Sequence, residues 1–168
     1  KKTLQLYENS MKSFELKNFP AVDVKKFIYI GNNIIEPAWT IRPSLVDNIL
    51  VQEELNWLEQ YKLYPCYTAI IMTPALTICK THVDDKASDA GLKQRRTAIN
   101  IPIQGWDNSS FQFMSDEENI IETIYTDSVM CWDVTQPHRI DNSKSKLNRI
   151  TLSFGFVESV QEIHDKLF

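Results

Sequence analysis

Two histidines and one aspartate are spaced along this chain in a way that would suit a metal centre. His82 and Asp84 lie two positions apart in an extended segment, so their side chains point to the same face. His138 follows an apolar segment much further along the chain. Distant strands become neighbours in an antiparallel sandwich, and His138 would then complete a three-ligand site. A His-x-Asp pair alone is weak evidence, because an exposed strand end that leads into a polar loop has the same pattern.

A set of two histidines and one carboxylate has a specific chemical meaning. Borderline nitrogen ligands and one anionic oxygen suit Fe(II), and binding on one face of the ion leaves coordination positions open. This is the ligand arrangement of non-haem Fe(II) oxygenases. The alternative for His138 is a histidine whose hydrogen bonds are satisfied within a turn.

An arginine opens the last strand-like segment. Residues 149–156 alternate strictly between polar and apolar side chains. The apolar face carries Ile150, Leu152, Phe154 and Phe156. The polar face carries Arg149, Thr151 and Ser153. By pattern alone this is a half-exposed strand with its polar face in water. The alternative is a polar face turned into a barrel mouth, where the guanidinium would bind a carboxylate bidentately and the Thr151 hydroxyl would add a hydrogen bond.

The first 65 residues are expected to form an outer layer around a β-rich core. Residues 27–30 predict a strand that ends in a turn. Residues 44–62 predict a helix with Ser44 as its N-cap and Asp47 three positions on. An apolar stripe at helical spacing supports this helix. It comprises Val46, Ile49, Leu50, Trp57, Leu58 and Tyr61.

After Pro65, short β-rich segments replace the helical pattern. They are 66–72, 75–79, 97–103, 111–113, 121–126, 129–132 and 149–156. A short helix is expected at 158–168, and 141–148 is expected to be a hairpin that keeps His138 and Arg149 in register. A helix followed by many short strands favours an antiparallel sandwich or barrel with helical cover. The absence of a Gly-rich phosphate loop argues against nucleotide-binding folds.

The composition is that of one globular domain. The 168 residues include 43% hydrophobic and 24% charged side chains, and the net charge is −4 with a pI of about 5.4. This balance argues against a nucleic-acid partner, which needs a basic face. The three cysteines lie in apolar segments, as buried thiols of a reducing compartment do. No segment has the length of a membrane span or the apolar core of a signal peptide, so a cytoplasmic protein is expected.

The order His82-x-Asp84, His138, Arg149-x-Thr151 resembles the signature of the Fe(II)/2-oxoglutarate-dependent dioxygenases. The resemblance covers about residues 66–156. It implies a mainly β fold, a double-stranded β-helix (jelly roll, cupin-like), with 1–65 as an N-terminal strand and helix elaboration of a single domain, 1–168. It implies that His82, Asp84 and His138 bind Fe(II) and that Arg149, with Thr151, binds the distal carboxylate of 2-oxoglutarate.

The resemblance also implies an activity. The enzyme would use O₂ to convert 2-oxoglutarate to succinate and carbon dioxide and would hydroxylate a protein side chain or a small molecule. Asn100 and Arg96 share one strand parity, and each is a further candidate for contact with the cosubstrate or substrate. Outward-facing polar residues are the alternative for both. Tyr67 is a weaker candidate for the same contact.

No subfamily pattern fits throughout. The nucleic-acid repair branch carries a second arginine six positions after the first, where this chain has Gly155. The aspartyl/asparaginyl hydroxylase branch usually lacks the carboxylate ligand, whereas Asp84 is present here. Collagen-type prolyl hydroxylases usually have lysine at the position of Arg149.

Other functions remain open at this point. A jelly roll can keep a metal site yet only bind a sugar or a peptide without turnover. A structural, capsid-like jelly roll would place the polar face of Arg149 in solvent or against another subunit. Asp85 competes with Asp84 as the carboxylate ligand, although its strand parity points it away. The polar loop after Asp84 is either a mobile lid or a solvated loop.

Overall fold

A computed structural model describes residues 11–34, 42–84 and 95–168, and for 42–45 it describes the backbone only. The described elements follow one another along the chain in a fixed order. They are β1 (Ser13–Glu15), α1 (Val24–Asn32), β2 (Arg42–Leu45), a 3₁₀ turn (Asn48–Val51), α2 (Gln52–Gln60), β3 (Tyr67–Thr73), β4 (Thr97–Gln104), β5 (Ser110–Met114), β6 (Ile120–Ile124), β7 (Met130–Asp133), β8 (His138–Asp141), β9 (Arg149–Phe156) and α3 (Val160–Leu167).

The strands form two antiparallel sheets. The larger sheet has the order β1-β7-β4-β9-β3-β2, and the smaller has the order β6-β5-β8. One apolar core joins the larger sheet to the helices, and it includes Phe27 of α1 and Leu58 of α2. A second core lies between the sheets, where Trp132 of β7 packs against Phe111 of β5. Mainly antiparallel sheets with a few covering helices are consistent with the expected jelly roll.

β9 is a central strand of the larger sheet, and its apolar face belongs to the core under the helices. It lies between β3 and β4, and all eight of its residues are buried. Its apolar face packs under the helices, so closely that a Cβ on Gly31 of α1 would lie 2.6 Å from Cγ2 of Ile150. The strand is therefore not half-exposed, and its polar face must lie inside the protein.

Two sequence predictions for the N-terminal part are wrong. Residues 27–30 lie in α1 rather than in a strand, and the Asp23 side chain caps this helix by accepting from the backbone N–H of Lys25. Ser44 is not a helix N-cap, because it lies in β2 opposite Ile70. Asp47 caps the 3₁₀ turn instead, and α2 begins only at Gln52. Strand pairing with β3 has overridden the helical pattern at the start of this segment.

Two further predictions fail between the sheets. The predicted strand at 75–79 has only an isolated bridge between Ile78 and Asp141. Residues 141–148 are not a hairpin, because β8 pairs with β5 in the smaller sheet and β9 belongs to the larger one. The chain crosses from one sheet to the other here. Asn142 holds the crossing, since its Nδ2 donates to the carbonyls of Thr73, Pro74 and Leu147.

The C-terminal helix is confirmed. α3 begins after a capping box between Ser159 and Glu162, and it buries Val160 and Ile163. No helix among the described residues is both long and apolar enough to cross a membrane.

Candidate metal centre and its cavity

His82, Asp84 and His138 meet at the edge of the cavity between the two sheets. An isolated antiparallel bridge pairs the two histidines, with each backbone N–H donating to the other's carbonyl at 2.9 Å. The Asp84 carboxylate lies 3.6 Å from Nε2 of His82 and 3.3 Å from Nε2 of His138. One ligand atom from each residue lies within 4.8 Å of the others, so the three side chains could hold one metal ion.

Each imidazole is held with the same nitrogen facing inward. Nδ1 of His82 lies 2.7 Å from the carbonyl oxygen of Lys80, and Nδ1 of His138 lies 2.7 Å from that of Gln136. A carbonyl can only accept, so each Nδ1 carries the proton and each Nε2 presents a lone pair. This backbone support is the arrangement that orients histidine ligands towards a metal.

The charge states of the ligands also suit a metal. Burial, together with the neighbouring His138, lowers the pKa of His82 below its ordinary value of 6.5. Burial alone would raise the pKa of Asp84, but the hydrogen bond and charge of His138 and the charge of His82 outweigh it and lower that pKa. At neutral pH the His82 imidazole is therefore neutral and Asp84 is ionised, which is the state that binds a divalent cation.

Arg149 lies in the same cavity as these ligands, and it is buried with only 3% of its surface exposed. Its Nη1 donates to Oγ of Ser109 at 3.1 Å, and its guanidinium lies 3.9 Å from the ring centre of Trp106. Its Nε has no hydrogen-bond partner, and no carboxylate of the described residues pairs with it. Burial lowers the pKa of this guanidinium to about 9, an effect that the neighbouring Cys79 offsets only in part.

The polar face of β9 and the neighbouring strand β4 complete the cavity wall. Thr151 and Ser153 line it beside Arg149, and Asn100 lines it from β4. The Asn100 Oδ1 is buried without a hydrogen-bond partner. Trp106 donates from Nε1 to Oγ1 of Thr151 at 3.2 Å. The structure thus brings together six of the seven site residues that the sequence predicted.

The seventh, Arg96, is placed elsewhere. Its side chain is 51% exposed and lies 3.6 Å from the carboxylate of Glu162 on α3. This position does not support contact with a cosubstrate in the cavity. The strand parity that suggested it fails because Arg96 precedes the first residue of β4, where the chain has not yet adopted the alternation of the strand.

Comparisons with solved structures show which known fold the chain shares. No family model matches the sequence, and no curated protein matches it. Among solved structures, a prolyl-4-hydroxylase from Pseudomonas putida aligns with a TM-score of 0.56 at 11% identity, over 90% of this chain and 94% of that one. The chain has the fold of the 2-oxoglutarate/Fe(II) oxygenases.

Two other structures of this fold agree. A 2OG-Fe(II) oxygenase family protein from Burkholderia pseudomallei gives a TM-score of 0.54 at 16% identity, over 91% of this chain and 86% of that one. HygX from Streptomyces hygroscopicus, with nickel, 2-oxoglutarate and hygromycin B bound, gives 0.56 at 10% identity over the same shares. The His-x-Asp…His triad is present in this chain on the 2-oxoglutarate/Fe(II) oxygenase fold.

Sequence reasoning missed three residues of the site. Trp106 and Ser109 support Arg149, yet they lie in a turn between β4 and β5 that carries no motif. Arg95 lines the cavity beside Asp84, with its guanidinium 4.1 Å from the ring centre of Tyr67. Strand parity cannot rank Arg95 and Arg96 from sequence, because both residues precede the first residue of β4. The candidate ligand Asp85 and the loop 85–94 lie outside the described residues.

Proposed function

We propose that this protein is an Fe(II)- and 2-oxoglutarate-dependent oxygenase that hydroxylates a protein side chain or a small molecule. The observation that carries the proposal is Arg149, a buried cation that has no counter-ion among the described residues and that shares a cavity with the metal triad. A buried charge is costly unless it is paired. A dicarboxylate that reaches from the metal to Arg149 would pair with it.

Different residues of the cavity would bind the iron and the 2-oxoglutarate. His82, Asp84 and His138 would hold the iron through two neutral nitrogens and one carboxylate. Arg149 and Thr151 would bind the distal carboxylate of 2-oxoglutarate. When bound, Fe(II) with 2-oxoglutarate and O₂ supplies the oxidative decarboxylation to succinate and the oxidant for the substrate.

The walls of the cavity support this assignment. Ile71 of β3, Phe111 of β5 and Ile140 of β8 line it with apolar surface and limit the access of water. The two sheets that supply these residues support a double-stranded β-helix with 66–156 as its core. Prolyl hydroxylases and the hygromycin-bound HygX both share the fold, so both peptide and small-molecule substrates are within its range.

The proposal is tested by the binding of 2-oxoglutarate to the metal-loaded protein. Calorimetry under argon with Mn(II) in place of Fe(II) should show binding in the wild type. In Arg149→Gln the dissociation constant should rise by at least about thirtyfold, because one charge-paired partner is lost. Lys166→Gln, which removes one exposed positive charge on α3, is the matched control and should bind as the wild type does.

Activity is tested separately. With Fe(II), O₂ and 2-oxoglutarate, the wild type should release succinate, and Arg149→Gln should need far more 2-oxoglutarate to do so. A protein that binds metal but neither binds the oxoacid nor releases succinate contradicts the proposal and favours a non-catalytic binding module.

A further inference from the structure

Arg95 lies in the cavity beside the candidate metal ligands, whereas the buried Arg149 is the proposed partner of the distal carboxylate of 2-oxoglutarate. Its side chain is 21% exposed, and its Nη2 lies 3.6 Å from Oδ1 of Asp84. One face of its guanidinium is covered by the ring of Tyr67, with 4.1 Å between the guanidinium carbon and the ring centre. The stacking fixes the plane of the guanidinium and leaves its edges available for hydrogen bonds.

The backbone next to Arg95 and Tyr67 leaves room for both side chains. Tyr67 of β3 is directly opposite Gly155 of β9 in the sheet register. A Cβ added at Gly155 would lie 2.9 Å from Cδ of Arg95 and 3.1 Å from Cβ of Tyr67. Any side chain at this position would therefore displace the arginine. Gly155, Tyr67 and Arg95 together form one structural unit, which we name the arginine seat.

Once the site is loaded, the described residues around the cavity leave Arg95 without a counter-charge of its own. Among the described residues that line the cavity, the charged ones are Asp84, Arg95 and Arg149, since the histidines act as neutral ligands. A divalent metal neutralises the carboxylate of Asp84 and thereby weakens its attraction for Arg95. The two negative charges of 2-oxoglutarate balance the remaining charge of the metal centre and that of Arg149. One positive charge is left over, and it resides on Arg95 at the metal, where a substrate must approach.

We propose that the arginine seat binds a carboxylate group of the substrate, so that this protein acts on carboxylate-bearing molecules such as acidic metabolites or amino-acid derivatives. The proposal rests on the proposed oxygenase function. A carboxylate carries one negative charge, which matches the one positive charge left over on Arg95. A phosphate monoester would bring close to two negative charges. The planar guanidinium offers two parallel donors that fit a carboxylate, and its seat on Tyr67 means that little side-chain freedom is lost on binding.

The test uses Mn(II)-loaded protein saturated with 2-oxoglutarate, in which no turnover takes place. The probes are N-acetylated amino acids and their primary amides, which differ only in the charged group, together with O-phospho-N-acetylserine amide, whose only anionic group is a phosphate. Mn(II) broadens the NMR lines of any probe that binds beside it. In the wild type the acids should be broadened at about tenfold lower concentration than the amides, as expected for a hydrogen-bonded charge pair.

The variants assign this preference to the seat. Arg95→Gln should abolish the difference between acids and amides, Gly155→Ala should reduce it, and Lys166→Gln should retain it. The circular dichroism spectrum of Arg95→Gln should match that of the wild type, which shows that the variant is folded. If 2-oxoglutarate binds but no acid does, if acids and amides broaden equally, if the phosphorylated amide is preferred, or if Arg95→Gln keeps the preference, the inference is wrong while the oxygenase function stands. If wild-type protein does not bind 2-oxoglutarate, the oxygenase function itself fails.

Discussion

The two histidines of the triad owe their role to a shared local geometry. In each, Nδ1 faces the carbonyl oxygen two residues earlier in the chain, His82 to Lys80 and His138 to Gln136. Because the contact is local, the backbone that positions the ring also fixes which nitrogen carries the proton. The ligands are thus oriented before any metal binds, which lowers the ordering cost of binding. Asp84 is fixed likewise, since its backbone N–H donates to the carbonyl of Val134 at 2.8 Å.

Replacing one of these histidines should remove the metal site without unfolding the protein. We expect His138→Ala to lower the affinity for Mn(II) by at least about a hundredfold, a loss at the upper end for altered metal ligands and their partners. Titration of the protein with Mn(II), followed by electron paramagnetic resonance of the free ion, measures this directly.

The chain supplies its own control for that measurement. His164 is the third histidine, and it lies on α3 beside the rings of Phe14 and Phe168. His164→Gln should therefore bind Mn(II) as the wild type does. Equal losses of Mn(II) affinity in both variants would mean that the loss reflects general damage to the protein rather than the removal of a metal ligand.

At the scale of elements, the turn between β4 and β5 positions the side chain of Arg149 in the cavity. Gly105 adopts a φ of +77°, and a Cβ there would overlap the carbonyl oxygen of Asn148. This glycine lets the turn lie against the start of β9, which brings Trp106 under the guanidinium of Arg149. Since Trp106 Nε1 donates to Oγ1 of Thr151, the hydroxyl proton of Thr151 is free to point at another acceptor.

The indole N–H of Trp106 should therefore matter for cosubstrate binding. Trp106→Phe keeps an aromatic face for Arg149 but removes the N–H, and we expect the dissociation constant for 2-oxoglutarate to rise by about two- to twelvefold. Calorimetry on the Mn(II)-loaded protein measures the change.

Trp132→Phe is the matched control. Trp132 is also fully buried in the core between the sheets, but its Nε1 has no hydrogen-bond partner. The same chemical change there should leave 2-oxoglutarate affinity within about twofold of the wild type. If the two variants weaken binding equally, packing of the core rather than the N–H of Trp106 controls the site.

At the scale of the whole molecule, the site joins the two sheets. β9 and β4 of the larger sheet supply Arg149, Thr151 and Asn100, while β8 of the smaller sheet supplies His138. A ligand that contacts both sheets stabilises the folded state by its binding free energy, because the unfolded chain has no such site. The burial of Arg149 without a counter-ion is a local cost that an anion at this place would remove.

This linkage predicts a conditional thermal shift. At one hundred times its dissociation constant, 2-oxoglutarate should add about 2.7 kcal/mol of stability, which corresponds to roughly 5–10 °C in melting temperature for a domain of this size. The shift should require the metal, since the keto acid end has no other partner among the described residues. In Arg149→Gln at the same 2-oxoglutarate concentration it should fall to about a third or less, because the dissociation constant is at least about thirtyfold higher. Differential scanning calorimetry measures it, and an equal shift without metal would contradict the bridging role.

The sequence by itself predicted the candidate metal ligands and a mainly β fold of antiparallel strands. The spacing of His82 and Asp84, the position of His138 and the alternation of β9 were enough to predict a metal triad and a polar face with Arg149 at its start. These are local patterns, because strand parity places side chains without knowledge of the rest of the chain. The C-terminal helix was predicted from its apolar spacing, which is also a local pattern, and its capping box was found only in the structure.

Only the tertiary structure decided what surrounds that chemistry. Residues 141–148 cross between sheets instead of forming a hairpin, and Ser44 joins a strand because pairing with β3 outweighs helix propensity. Whether the face of Arg149 met water or a cavity depended on a second sheet that no local pattern specifies. Contacts between residues far apart in the chain place Arg95 rather than Arg96 in the cavity, where it lies against Tyr67. Such contacts also place Trp106 beneath Arg149. Such contacts depend on how the elements pack, which the spacing of residues along one element does not record.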